Sequence, residues 1–165
     1  MFKHVPVLLN ECIDGLNIRS DGIYIDATLG RGGHSSVILS KLQTGHLYCF
    51  DQDNQAIEES YNRLNSISPN FTIIHDNFSN IKEEMKKHDV TEVDGILFDL
   101  GVSSAQFDDG ERGFSYRYDA RLDMRMNREN SLTAYDIINN YSIKDLTRIF
   151  KEYGEEKYAY QIASR

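Results

Sequence analysis

The chain has few residues that cross-link or stiffen a fold. Its 165 residues include two cysteines, two prolines and no tryptophan. Cys12 and Cys49 fall in a predicted helix and a predicted strand, with no CxxC spacing and no clustered histidines. This pattern argues against a disulfide framework and against a metal site. We therefore expect two reduced thiols in the core and no bound metal.

Long hydrophobic runs and an excess of positive charge are also missing. Apolar stretches such as GILFDLGV are too short to cross a bilayer, and the first residues lack the basic-then-apolar pattern of a signal peptide. We expect a cytoplasmic protein without a membrane partner. The formal net charge of −8 argues against nonspecific coating of nucleic acid, although locally concentrated basic residues would still allow a nucleic-acid substrate.

The first hundred residues alternate between strand and helix patterns. After an extended start and a helix in VLLNECIDGLN, strands are predicted in IYIDATL, HLYCFD, NFTIIHD and VDGILFDLG. The predicted helices between them are SSVILSKLQTG, which ends at Gly45, NQAIEESYNRLNS, and SNIKEEMKKH, which Ser79 or Asn80 caps. This order predicts an α/β fold with a doubly wound, Rossmann-like parallel sheet of about four strands. The carboxyl ends of such strands share one edge, where ligands bind.

The pattern changes after Gly101. About thirty residues show no sustained period, a length that is usually functional or disordered in a compact domain. Helical spacing returns in LTAYDIINNY with Ser131 as cap, in SIKDLTRIFKEYG between Ser142 and Gly154, and in EEKYAYQIASR. The last of these patterns has no stop signal, which favours the interpretation that the sequence is a fragment.

The glycine-rich stretch DATLGRGGHSS follows the first predicted strand. Gly30, Gly32 and Gly33 form GxGG, whereas a dinucleotide fingerprint has GxGxxG. Asp51 stands nineteen positions after Gly32, where a carboxylate accepts hydrogen bonds from ribose hydroxyls. The pattern predicts a site for an adenosine cofactor and leaves NAD and S-adenosylmethionine open, and a purely structural tight turn is a further alternative.

Three neighbouring residues each allow two interpretations. Asp26 can offer negative charge to an ammonium or sulfonium, which favours S-adenosylmethionine, or it can cap a local turn. His34 fits a polar helix-start residue better than a base, and Phe78 fits either a cover for adenine or a core aromatic.

Asp99 closes the fourth predicted strand. Amino-methyltransferases of similar architecture carry an Asp or Asn there, which holds the target amine. A carboxylate that accepts one amine hydrogen would align the nitrogen lone pair with an electrophilic methyl group. Leu100, Gly101 and Val102 stand where those enzymes have prolines and an aromatic residue, so the contacts around the amine must differ.

Seven ordered motifs give the chain a family resemblance. HVPVLLNE, YIDATLGRGGHS, FDQD, DGILFDLGVSS, ERGFSY, LDMRM and YGEEKYAYQIA together resemble the bacterial small-subunit ribosomal RNA methyltransferase H family. The resemblance implies a class I fold that transfers methyl from S-adenosylmethionine to N4 of a cytosine in the decoding region of 16S ribosomal RNA. It further implies cofactor roles for Gly32, Gly33, His34, Asp51, Phe78, Asp99 and Gln106.

The chain departs from this family in three ways. Ala105 replaces a proline before Gln106, and Asp76 replaces a smaller or uncharged residue before Phe78. The third departure is length, because the family is similar to this chain only over its first half. We therefore expect residues 1–106 to form the N-terminal part of the methyltransferase core and 107–165 the start of a helical substrate-recognition domain. Apolar faces left by missing strands would favour a homodimer.

Five arginines lie close together in the segment without a period. Arg112 and Arg117 are interleaved with aromatic residues, the combination used for single-stranded RNA, but acidic residues bring the local net charge close to zero. A salt-bridged loop is the alternative, and the family resemblance favours RNA contact by Arg112 and Arg117. Two other functions remain open: an NAD-dependent oxidoreductase on the same fold, and a non-catalytic fragment that binds cofactor or RNA.

Overall fold

A computed structural model describes residues 6–165. The chain divides into two compact units, Met1–Gly101 and Val102–Arg165. The extended start that the sequence predicts lies largely in residues 1–5, outside the described residues. The assignment of 1–106 to a methyltransferase core and of 107–165 to a substrate-recognition domain stays a prediction.

Between residues 6 and 101, the first unit contains four strands and four helices. In chain order they are α1 (Leu9–Leu16), β1 (Ile23–Asp26), α2 (Gly33–Lys41), β2 (His46–Asp51), α3 (Asn54–Asn65), β3 (Phe71–His75), α4 (Ile81–Lys87) and β4 (Gly95–Leu97). The four strands form one sheet in the order β3-β2-β1-β4, and every pairing is parallel. The predicted α/β parallel sheet is therefore confirmed.

Both faces of the sheet are covered by apolar side chains because successive strand residues point to opposite sides. Tyr24 and Leu47 belong to a buried cluster that includes Ile38 and Leu39 of α2. Ile25 and Phe50 belong to a second cluster, against Met85 of α4. The order of the strands reverses between β1 and β4, so a ligand site is expected where these two strands end.

Helix α2 ends four residues earlier than predicted, and Gly45 is not its stop signal. The backbone N–H groups of Gln43, Thr44 and Gly45 all donate to the carbonyl of Ser20, which draws this segment away from the helix axis. Gly45 instead permits close contact with another turn, because a Cβ there would overlap the carbonyl oxygen of Gly22.

Two further boundaries differ from the prediction. A 3-10 turn, Phe78–Asn80, precedes α4, and Asn77 rather than Ser79 or Asn80 supplies the side-chain cap, accepting from the Ser79 N–H at 2.8 Å. Strand β4 is only three residues long, so Asp99 lies two residues beyond its end.

The second unit is helical. It contains α5 (Ser104–Asp108), a 3-10 turn (Gly110–Arg112), α6 (Ala134–Asn140), α7 (Ile143–Glu152) and α8 (Ala159–Ala163). Ser142 caps α7 as predicted, accepting from the Asp145 N–H at 3.1 Å. The prediction of Ser131 as the cap of α6 is wrong, because Thr133 forms a capping box with Asp136. Across residues 6–165, no helix is both long and apolar enough to cross a membrane.

Candidate functional site

The glycine loop joins β1 to α2 at the carboxyl edge of the sheet. Gly30 and Gly32 have φ values of +50° and +70°, a backbone region that glycine adopts without steric cost. A Cβ on Gly32 would also lie only 3.2 Å from the Cβ of Ser60. Gly32 is the N-cap of α2 and offers no side-chain cap, so the first N–H groups of this helix are left for other acceptors.

Asp51 ends β2 and bonds directly to the glycine loop. Its Oδ2 accepts from the N–H of Gly30 at 2.7 Å, and its Oδ1 accepts from the N–H of Asp53 at 2.9 Å. Burial raises the pKa of Asp51, and these N–H bonds partly oppose that rise. Each carboxylate oxygen retains a second lone pair, so Asp51 can still accept from a ribose hydroxyl.

Asp26 caps the turn that follows β1. Its side chain is 1% exposed, with Oδ2 accepting from the Ser35 hydroxyl at 2.6 Å and Oδ1 accepting from the Thr28 N–H at 3.1 Å. Burial raises the pKa of this carboxyl above its ordinary value. The sequence allowed Asp26 either to offer charge to a ligand or to cap a local turn, and the structure shows the turn cap. Asp26 therefore stabilises the glycine loop through its hydrogen bonds to Thr28 and Ser35.

Asp99 lies beside the glycine loop. Its N–H donates to Oγ1 of Thr28 at 2.7 Å, which holds the β4 extension against the loop after β1. Its carboxylate is about half exposed, with Oδ2 3.8 Å from Nδ1 of His34. The imidazole of His34 is buried, and its Nε2 lies 3.0 Å from the carbonyl oxygen of Val7. The structure therefore brings together the glycines, Asp51, His34 and Asp99.

Phe78 is observed as a core aromatic, one of the two roles that the sequence left open, and its role as a cover for adenine stays a prediction. It packs against the apolar cluster beneath α4, and its ring meets that of Phe98 edge-on with centroids 5.6 Å apart. Because Phe98 immediately precedes Asp99, this ring pair lies next to the carboxylate edge of the site. The carboxylate of Asp76, the residue that departs from the family pattern, accepts from the side-chain amide of Asn80 at 3.0 Å.

The remaining predicted site residues lie in the second unit. Gln106 is buried and forms a capping box with Ser103, whose N–H donates to Oε1 of Gln106 at 3.0 Å. Arg112 is 4% exposed, and its guanidinium donates to the carbonyl oxygens of Arg125 and Met126 at 3.0 Å each. Direct contact of Arg112 with RNA would require the loop to open, which argues against that predicted role.

Arg117 differs from Arg112 because it is exposed. Its backbone N–H donates to the Ser115 hydroxyl at 3.2 Å, and its side chain extends from an exposed position. The sequence allowed this segment to be either a salt-bridged loop or an RNA-binding surface, and the structure has features of both. Arg125 forms a salt bridge with Asp123 at 2.7 Å, whereas Arg117 is accessible to a strand of nucleic acid.

The roles of two hydroxyl residues were not predicted from the sequence. Thr28 accepts from the N–H of Asp99, and Ser35 donates to the carboxylate of Asp26. Both stand within the quoted glycine stretch, so their position gave a signal. Their partners could not be read from the sequence, because 71 positions separate Thr28 from Asp99. Among residues 6–165, no group of three or more potential metal ligands is found.

These features define a class of protein. A parallel α/β sheet whose glycine loop follows β1, with a carboxylate at the end of β2, is the architecture of proteins that bind adenosine-containing cofactors. Asp99 adds a half-exposed carboxylate where the order of the strands reverses.

Comparison with known proteins gives the family. The model of the MraW methylase family matches residues 1–165, and the chain belongs to this family. Over its whole length it is 55% identical to the ribosomal RNA small subunit methyltransferase H of Exiguobacterium sibiricum, covering 53% of that protein. The chain thus spans about half the length of this curated relative.

Two solved structures are also similar to the chain. An rRNA methylase from Streptococcus thermophilus is 27% identical, with a TM-score of 0.45 over 61% of this chain and 57% of that one. A protein from Streptococcus mutans in complex with SAH is 31% identical, with a TM-score of 0.48 over 64% of this chain and 56% of that one.

Proposed function

We propose that this chain forms the cofactor-binding part of a methyltransferase that uses S-adenosylmethionine to methylate N4 of a cytosine in the decoding region of small-subunit ribosomal RNA. The observation that carries the proposal is a hydrogen bond between the ends of two strands. The N–H of Gly30, in the loop after β1, donates to Asp51, at the end of β2, at 2.7 Å. Membership of a methylase family and the 55% identical relative favour a methyl donor over NAD at these strand ends.

The residues present fit this donor. Asp51 offers carboxylate lone pairs for ribose hydroxyls, the glycine loop exposes backbone N–H and C=O groups, and Phe78 gives an aromatic face beyond β3. Acidic side chains at Asp51 and Asp99 favour a ligand that carries positive charge. When bound, the sulfonium supplies a methyl group that needs no metal and no covalent protein intermediate to become electrophilic.

Asp99 is the residue proposed to align the target amine. Its carboxylate accepts one hydrogen of the exocyclic amine, which directs the nitrogen lone pair toward the methyl carbon. With the donor bound, a nitrogen–carbon bond would form as the carbon–sulfur bond breaks with its electron pair on sulfur, and the proton that nitrogen then loses would pass to the Asp99 carboxylate or to solvent water. The anchor from Thr28 fixes the main chain of Asp99, so little reorganisation is required in the reaction.

The substrate proposal rests on the relative rather than on a bound strand. That relative's name specifies the small ribosomal subunit, and the exposed Arg117 is the basic residue proposed to contact RNA phosphates. The cytoplasm, where ribosomes lie, is the proposed location. The homodimer expected from the sequence stays a prediction, which the mass measured by light scattering during size-exclusion chromatography checks.

Transfer of radiolabelled methyl groups to small ribosomal subunits tests the proposed function. The chain as given, a longer chain of the length of the curated relative, and the longer chain with Asp99→Ala are assayed in parallel. Asp21→Asn is the matched control, because Asp21 is an exposed acid before β1, at the other edge of the sheet. We expect activity in the longer chain and in the control, and a loss of at least about a hundredfold, the usual size of a lost catalytic contact, in Asp99→Ala.

Retained RNA binding by Asp99→Ala would place the defect in alignment of the amine. Near-normal turnover of this variant would refute the role of Asp99, and absence of transfer by the longer chain would refute the proposed function.

A further inference from the structure

The segment before α1 lies against the glycine loop at two successive residues. The imidazole Nε2 of His34 is 3.0 Å from the carbonyl oxygen of Val7. At the preceding position, a Cβ on Gly33 would overlap Cγ of Pro6, so the proline ring occupies the space that glycine leaves open. Both contacts fall on residues that the family resemblance implies in cofactor binding.

Apolar burial of the segment's own side chains does not explain this placement. Val7 and Leu8 are 64% and 63% exposed, although both are large hydrophobic residues. Leu8 also has a φ of +48°, a left-handed conformation that costs a non-glycine residue about 1 kcal/mol or more. The contacts with His34 and Gly33 therefore hold the segment in a backbone path that its own side chains do not favour.

The contact with Val7 fixes the tautomer of His34. A carbonyl oxygen only accepts hydrogen bonds, so Nε2 carries the hydrogen and donates it to Val7. In the neutral ring, Nδ1 is then an unprotonated acceptor, and it faces Oδ2 of Asp99 at 3.8 Å. Two acceptors at this separation lack a hydrogen between them, so together they favour a ligand group with N–H donors.

We propose that Pro6–Leu8 form a strap that orders the glycine loop, and that His34 is a positioning residue whose tautomer the strap fixes. With the strap in place, α2 begins at a set position and Nδ1 stays available as an acceptor beside Asp99. This inference rests on the proposed function only for the identity of the ligand that the loop binds. The strap itself is a property of the unliganded chain.

Two substitutions of His34 separate the strap contact from other effects. In His34→Gln the side-chain amide reaches the position of Nε2 and can still donate to Val7, whereas the shorter His34→Asn cannot reach it. Heteronuclear NOE values of the Val7 and Leu8 amides report the order of the strap. We expect ordered values in the unchanged chain and in His34→Gln, and a mobile segment in His34→Asn. Circular dichroism establishes that each variant is folded.

Pro6→Gly tests the strap without altering the loop or His34. It removes the ring that packs on Gly33 and loosens the segment, so we expect a mobile strap. S-adenosylhomocysteine should then bind about two- to tenfold more weakly in isothermal titration calorimetry, the effect expected for one hydrogen bond. Asn10→Ala is the matched control, since Asn10 is an exposed residue of α1 outside the strap. Its affinity should equal that of the unchanged chain.

The nitrogen shifts of the His34 ring provide a further readout. They should show hydrogen on Nε2 in the unchanged chain and a mixture of tautomers in Pro6→Gly. An ordered segment in His34→Asn, or unchanged affinity in Pro6→Gly despite a mobile segment, would overturn the proposal. Failure of the unchanged chain to bind S-adenosylhomocysteine would instead refute the proposed function, while the NOE values and ring shifts still decide whether the strap exists.

Discussion

Replacing Asp26 by asparagine should leave the fold intact and should not weaken it at neutral pH. Asp26 accepts from the Thr28 N–H at 3.1 Å and from the Ser35 hydroxyl at 2.6 Å, and its side chain is only 1% exposed. Asparagine has the same shape. Its oxygen can accept from Thr28 while its NH2 donates to the Ser35 oxygen, whose own hydrogen can turn toward Sγ of Cys49, 3.4 Å away.

The magnitude follows from what each variant leaves unpaired. Asp26→Ala leaves the Thr28 N–H without its acceptor, deprives Ser35 of its stronger partner and opens a small cavity. We expect a loss of about 2–4 kcal/mol in the free energy of unfolding. Asp26→Asn keeps both contacts and removes a buried negative charge, so its change should lie within about 1 kcal/mol of zero and on the stabilising side.

The pH dependence gives the direction in which the stability difference between Asp26→Asn and the unchanged chain should change. Burial raises the pKa of Asp26 above its ordinary value of 3.8, so the folded chain holds this proton more tightly than the unfolded chain. The contribution of the protonated Asp26 carboxyl to the free energy of unfolding is fully present below pH 3.8 and is lost as the pH rises through the folded-state pKa. Asp26→Asn lacks this loss, so its advantage over the unchanged chain should grow from acid to neutral pH.

Urea unfolding of the three chains, followed by circular dichroism at several pH values, measures these differences. A loss in Asp26→Asn as large as that in Asp26→Ala would show that the negative charge itself is needed, which would refute the account of Asp26 as a turn cap.

Four other substitutions test three separate parts of the structure. Gly32→Ala should lower the free energy of unfolding by about 1–2 kcal/mol in urea titrations, because φ is +70° there, and an unchanged midpoint would contradict that conformation. Arg112→Ala should destabilise the chain by about 2–4 kcal/mol, since the carbonyls of Arg125 and Met126 lose their donor and a buried side chain is removed. Arg117→Ala should keep its stability and bind RNA more weakly in filter-binding assays, and equal changes in stability and in RNA binding for the two variants would refute the distinction between the two arginines. Arg125 lowers the pKa of Asp123 to about 2, so its contribution to stability is present above pH 3.8 and is lost as the pH falls toward 2. Asp123→Asn should lack this loss in acid titrations, and an acid transition identical to that of the unchanged chain would count against the pair.

The strands of the first unit could be predicted because burial and alternation act locally. HLYCFD coincides with β2, and the carboxylates at Asp51 and Asp99 come to the glycine loop as the parallel order requires. Helix ends were harder to predict. Gly45 looked like a stop signal, but three N–H groups bonded to one distant carbonyl, that of Ser20, end the helical path earlier.

Side-chain roles that depend on long-range partners could not be predicted. Arg112 and Arg117 look alike in the sequence, yet one is buried among backbone carbonyls and the other is exposed. Likewise, nothing in the sequence indicates that Pro6 fills the space above Gly33. Such contacts depend on the packed arrangement of segments that are far apart in the chain.

Calorimetric titration of the chain with S-adenosylmethionine, and separately with NAD, tests the central claim most directly. The account predicts that S-adenosylmethionine binds at one site per chain, that NAD gives no heat of binding, and that Asp51→Ala weakens the binding of the methyl donor. Binding of NAD in preference to S-adenosylmethionine, or equal affinity of Asp51→Ala and the unchanged chain, would contradict it.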